Sequence, residues 1–206
     1  MAYLGAVSQA APLVAAALAR RPVWGARAWV LAWCGLLVGG DGVYLWLAWR
    51  DAHNLWLAYF LTPIGVALVL WTLSLWQTGD LSRLTMRLAI VPFLIVWSVL
   101  TLVVDDTSTF SRAASPMASL VGLAAAAFTL LARSRSASGS LLRQDWFWVS
   151  AGIALYFGTS SALGPLGALL VGEAPQLVIR AYEVKALLDV LAFLLIARGV
   201  TCPTEI

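Results

Sequence analysis

Five formally charged side chains fall inside strongly apolar runs, and their types could do chemistry. Asp41 lies in "LLVGGDGVYLW"; Arg180, Glu183, Lys185 and Asp189 lie in "LVIRAYEVKALLDVLAFLLI". A carboxylate or amine in such a setting can form an ion pair, carry a proton or hold a ligand, and a lysine can also form an imine with a carbonyl compound. At 3.6 residues per turn, Arg180 and Glu183 are i,i+3 neighbours, and Lys185 and Asp189 are i,i+4 neighbours on the largely opposite side. The segment is therefore expected to neutralise itself as two pairs on two faces, which makes it a central helix of its bundle. Asp41 is left as the fifth charge.

The elements that must position these residues follow from composition. The chain has 206 residues, 62% hydrophobic and 11% charged, where a soluble domain carries about 25% charged residues. Too little polar surface remains to wrap a water-soluble core, so the composition predicts an integral membrane protein. Continuous apolar runs, without alternation, exclude a β-barrel. Seven runs approach the roughly 20 residues a span needs: about 3–19, 28–48, 55–76, 88–104, 115–132, 146–171 and 177–198. The first is interrupted by Ser8, Gln9 and Pro12, and the sixth is expected to break or bend near Gly164-Pro165. The fold class is thus all-α, a single transmembrane bundle over residues 1–206, with no soluble domain larger than a loop.

Basic residues set the orientation. Seven spans put Arg20, Arg21, Arg27, Arg83, Arg87, Arg133, Arg135, Arg143 and Arg198 on one side, and only Arg50 and Arg112 on the other. This positive-inside bias places the N-terminus outside and the C-terminus in the cytoplasm. Arg20-Arg21 follow the first apolar run, the layout of an uncleaved first helix and not of a secretory signal. Asp51, Asp105, Asp106 and Glu173 fall outside. In this topology Asp41 and Lys185 lie at similar depth, and the two are expected to meet if their helices are neighbours, with Gly39, Gly40 and Gly42 allowing close approach. Trp24, Trp29, Trp49, Trp56, Trp76, Trp146 and Trp148 fall near span ends, as an interfacial belt would. Trp33, Trp46, Trp71 and Trp97 lie deeper, where packing is expected.

Other chemistry finds little support. The net charge of +3 comes without the clustered basic and aromatic residues of a nucleic-acid binder. One histidine, His53, cannot build a haem or metal site alone, and no metal ligands are assigned. Cys34 and Cys202 show no redox or metal spacing, and no disulfide is expected. Tyr156, Thr159, Ser160 and Ser161 in "YFGTSS" could line a pocket; without a nearby histidine, interhelical hydrogen bonding is their expected role. No catalytic residue is assigned. Asp105-Asp106 reads as a solvated loop end.

A lysine midway along a seventh helix is weakly similar to the retinal-binding lysine of microbial rhodopsins. The position four before Lys185 is Ala181, however, and the third run lacks a carboxylate, so Asp41 would have to act as counter-ion. "HNLWLAYFLTPIGVALVLW", "FSRAASPMASL", "DWFWVSAGIALYFGTSSAL" and "LVIRAYEVKALLDVLAFLLI" together resemble a family of uncharacterised seven-helix bacterial membrane proteins, often encoded near sensor histidine kinases. That resemblance implies a signalling context and a bacterial cytoplasmic membrane. The expected function is a non-enzymatic sensor-like or accessory subunit, acting through helix contacts and a hydrophobic ligand, with a membrane-protein partner or a second copy of itself. The alternatives are a pigment-binding protein using Lys185, a small intramembrane enzyme, or a structural subunit of a larger complex.

Overall fold

The computed structural model describes residues 2–20, 23–106, 111–137, 139–170 and 175–203. Among them the regular structure is entirely helical: α1 (Ala2–Ser8), α2 (Ala11–Ala19), α3 (Ala26–Trp49), α4 (Trp56–Leu75), α5 (Asp80–Leu88), α6 (Ile90–Val103), α7 (Ala114–Ser136), a 3₁₀ turn (Leu141–Arg143), α8 (Asp145–Leu170) and α9 (Pro175–Thr201). Arg21 and Glu173, used above to judge orientation, lie outside the described residues.

Among the described residues four stretches are long and apolar enough to cross a membrane: α3, α4, the nearly continuous α5–α6 stretch Asp80–Val103, and α7. The outer surface agrees. Leu102, Ile95, Val91 and Val99 of α6 are more than half exposed, an apolar face that a soluble monomer would not leave open. The chain is a helical protein with the marks of a membrane protein.

Two expectations about the runs are corrected. The first is not one helix but two short ones. Proline lacks an N–H, and its ring clashes with the carbonyl four residues back; Pro12 does this to Ser8, where α1 ends. The fourth run is found within two residues of its expected bounds as α6, set off from α5 because Pro92 acts likewise on Leu88, the last residue of α5. The sixth is unbroken, since α8 runs as one helix through Gly164-Pro165.

The core lies where α3, α4, α7, α8 and α9 converge. Trp33 of α3 is 1% exposed and packs against Tyr156 and Phe157 of α8 and Phe193 of α9, with ring centroids 5.6, 6.1 and 6.0 Å away. Deep packing holds for Trp33 and for Trp97, which is also buried. Trp146, expected in the interfacial belt, is instead 1% exposed, under the Arg133 guanidinium at 5.4 Å. Trp24 and Trp49 are exposed, as belt residues would be.

The central helix is α8, flanked by α7 and α9, and not α9. Along α9 the buried residues, among them Ala192, Phe193, Ile196 and Val200, face α8, while Leu187, Leu191 and Leu194 are exposed. The short helices α1 and α2 pack across α9 and also touch α3.

Candidate functional site

The break between α1 and α2 builds the first part of the site. It leaves Gln9 in a turn, 9% exposed, with its side chain beside the Asp41 carboxylate of α3. Its carbonyl oxygen, Oε1, is buried without a hydrogen-bond partner. The signal was legible, because Ser8, Gln9 and Pro12 stood out as interruptions of the first run. Their consequence was not.

Lys185 does pair with Asp189, donating from Nζ to Oδ2 at 2.5 Å. Both side chains are largely covered, at 18% and 13% exposure. Lys185 also stands over the Tyr156 ring, 5.0 Å from its centroid. The expected Asp41–Lys185 pair does not form as a direct contact. Among the described residues no cation forms an ion pair with Asp41, although Lys185 and Asp189 are near enough to act on its charge. The reason is topological: α1 and α2 lie against α9 on this side, and Gln9 stands next to Asp41. The close approach allowed by Gly40 is to Leu61 of α4; Gly39 and Gly42 face open space.

The second expected pair is also corrected. Arg180 and Glu183 are both exposed, and no ion pair joins them among the described residues. Both lie on an exposed part of α9, where, among the described residues, neither packs against a neighbouring helix that would hold the two side chains together. Among the described residues Thr159, Ser160 and Ser161 make no interhelical bonds. Their hydroxyls donate to carbonyls of their own helix, at Leu155, Tyr156 and Gly158, over 2.8–3.0 Å. Of the "YFGTSS" residues only Tyr156 belongs to the charged cluster.

Asp41 opens on its other side into a cleft of about 200 Å³ between α3 and α4. Asp41, Tyr44 and Thr62 provide its polar groups, and Trp33, Tyr156 and Phe157 its aromatic walls and floor. Asp41 is the one formally charged residue in this lining. A second groove, about 810 Å³, runs along α4 and α6; it is walled by apolar and aromatic side chains such as Phe60, Ile64, Leu94 and Leu102.

Two polar clamps at the helix ends hold this arrangement, and the sequence reading saw neither. At one end Arg27 of α3 donates to Asp145 of α8 and to the Cys202 carbonyl after α9, each at 2.8 Å. At the other, the Asp105 carboxylate caps α7. It accepts from the backbone N–H groups of Arg112, Ala113 and Ala114 at 2.9, 3.1 and 3.1 Å and from the Ser111 hydroxyl at 2.5 Å. Partial burial works against the charged form of Asp105, but Ser111 and the three N–H groups outweigh it and hold this carboxyl below its usual range.

A depressed folded-state value means that the stabilisation is present above the unfolded value and is lost as pH falls through the lower folded one. Asp105→Asn is therefore expected to cost about 1–2 kcal/mol at neutral pH. Its melting temperature should depend less on pH than the native protein's below about pH 4. Parallel melting curves for the two proteins across that window would show that Asp105 does not cap α7.

No protein-family model, curated protein or solved structure matches this chain. The site therefore rests on its own geometry.

Proposed function

We propose that the protein is a non-enzymatic membrane module, a sensor-like or accessory subunit, that holds a small ligand in the α3–α4 cleft. The bundle has seven spans in the bacterial cytoplasmic membrane, with the N-terminus outside: α1–α2 together, α3, α4, α5–α6, α7, α8 and α9. The arginine asymmetry and the resemblance to seven-helix bacterial membrane proteins support this arrangement. The observation that carries the ligand reading is the cleft itself, with a carboxylate in its wall and side chains from three helices around it. Concave, mostly apolar sites with a few convergent polar groups are where small molecules bind.

Occupancy can be relayed because the walls belong to different helices. A ligand that separates α3 from α4, or presses on Tyr156 and Phe157, shifts α3 relative to α8. Arg27 and Asp145 join those same helices at the arginine-rich end, so a shift in the cleft reaches the face on which a partner subunit would sit. The pigment reading gains no comparable support, since Lys185 lines neither of the two clefts and is engaged with Asp189.

Filling the cleft tests the reading. Ala58 lines it and is exposed, so Ala58→Trp should occupy the space with little loss of stability. Native mass spectrometry of protein purified in mild detergent is expected to show a bound small molecule that Ala58→Trp lacks. Identical adducts on both proteins would overturn the assignment.

A further inference from the structure

We infer that the α3–α4 cleft is selective for a small organic cation, an ammonium group carried on an apolar or aromatic body, with Asp41 as its counter-ion. This rests on the cleft being a ligand site and names the ligand's chemistry. The argument starts from charge. Asp41 and Asp189 bring two negative charges and Lys185 one positive charge, and Lys185 is bonded to Asp189. The cluster keeps a surplus negative charge at Asp41, with no cation paired to it among the described residues. Asp41 is partly buried and its carboxylate takes a hydrogen bond from the Gln9 side chain, which brings no charge; a carboxylate in an apolar setting without a counter-ion favours a cationic partner that comes and goes.

The neighbouring polar atoms have the same sign of preference. On the side of Asp41 away from the cleft, Gln9 Oε1 and Asp189 Oδ1 are buried acceptors with no donor, so the surroundings of the carboxylate are rich in acceptors. These atoms call for N–H or O–H donors and repel an anion. The remaining walls, Trp33, Tyr44, Tyr156 and Phe157, offer aromatic rings, whose faces attract cations. A hard metal ion takes six or more oxygen ligands, which one carboxylate among aromatic rings does not provide. A neutral hydrocarbon would fill the space and leave Asp41 without a counter-charge. An ammonium on an aromatic or short aliphatic body satisfies the carboxylate and the rings together. The volume, about 200 Å³, is several times the roughly 30 Å³ of one water molecule, so the ligand is more than a bare ammonium ion.

Three probes of one shape separate the possibilities: benzylammonium, benzyl alcohol and benzoate, each titrated against the intact protein in detergent with melting temperature as the readout. Benzylammonium is expected to raise the melting temperature saturably, and the alcohol and benzoate are not. This comparison needs no variant and so does not depend on how substitutions fold. Asp41→Asn should weaken benzylammonium at least about tenfold, the usual scale for losing a charge-assisted contact, and Ala58→Trp should abolish its effect. Equal shifts from benzylammonium and benzyl alcohol, surviving in Asp41→Asn but lost in Ala58→Trp, would overturn the charge selectivity and leave the cleft as an apolar site. A benzylammonium shift that survives Ala58→Trp would overturn the cleft itself. No shift from any probe would overturn the cationic inference. The ammonium could come from a free amine or a lipid headgroup. Loss of the benzylammonium effect when phosphatidylethanolamine is added to phosphatidylglycerol nanodiscs would assign it to the lipid, and an unchanged effect to a free amine.

Discussion

Gly152→Ala is expected to destabilise the bundle by about 1–3 kcal/mol, the usual cost of forcing extra atoms into a packed interface, and Gly152→Leu to prevent folding. At this point α8 and α9 approach too closely to leave room for a side chain. A Cβ on Gly152 would lie 2.6 Å from the Ala192 carbonyl oxygen, 2.6 Å from Ile196 Cγ1 and 3.2 Å from the Ile196 nitrogen. Ile196 could turn its side chain, but the Ala192 carbonyl moves only with α9. Gly199 makes the reciprocal approach from α9, where a Cβ would meet the Asp145 carbonyl oxygen at 3.0 Å and Val149 Cγ2 at 2.5 Å. Small residues of this kind allow helices in lipid to gain dispersion contacts that a water-driven core does not need.

The control is Gly35→Ala in α3. Nothing lies within 4 Å of its added Cβ, and alanine removes the roughly 0.5–1 kcal/mol that glycine costs inside a helix. The two substitutions add the same methyl group and should move the melting temperature in opposite directions. If Gly152→Ala melted at or above Gly35→Ala, the α8–α9 contact would not be as close as the structure has it.

What could be read in the sequence was what depends on single residues and their near neighbours. The apolar composition pointed to spans, and Lys185 and Asp189, four residues apart, do pair. Gln9 and Pro12 marked the break that separates α1 from α2. Pro92 carried the same signal for α5 and α6, but its position inside a strongly apolar run hid it. What stayed illegible depends on which helices touch. Asp41 and Lys185 were expected to meet on the assumption that α3 and α9 are neighbours. The two helices do touch at Trp33 and Phe193, but near Asp189 α1 lies against α9 and Gln9 meets Asp41, because a first run broken by Pro12 can fold back where a straight span could not. Nor does helical spacing distinguish a pair that closes on itself, as Lys185–Asp189 does, from one that faces outward, as Arg180 and Glu183 do. Exposure decides that, and exposure belongs to the assembled bundle.

Arg27 makes the same point with a larger consequence. Its place in the sequence made it one of nine basic residues that report orientation. In the structure it also joins α3 to α8 and to the end of α9, 118 and 175 residues away. Its side chain is 12% exposed and that of Asp145 21%, so water screens this pair only in part. Arg27→Ala would remove the cation from the Asp145 carboxylate, leaving it only the Trp146 N–H at Oδ1, and would take the side-chain donor from the Cys202 carbonyl. Breaking a fully buried pair costs about 3–5 kcal/mol and an exposed one less than about 1; this partly covered clamp is expected to cost about 2–3 kcal/mol. Arg27→Lys should recover only part of it, because one ammonium lacks the planar fork that serves both acceptors at once. Asp145→Asn combined with Arg27→Ala should cost less than the sum of the two, by about 1–2 kcal/mol, as coupled partners do. Strict additivity would mean that the two side chains do not interact. If the clamp also relays cleft occupancy, Arg27→Ala will leave benzylammonium binding intact while uncoupling it from any partner held at the arginine-rich face. A purely structural clamp would instead lower stability and leave that coupling unchanged.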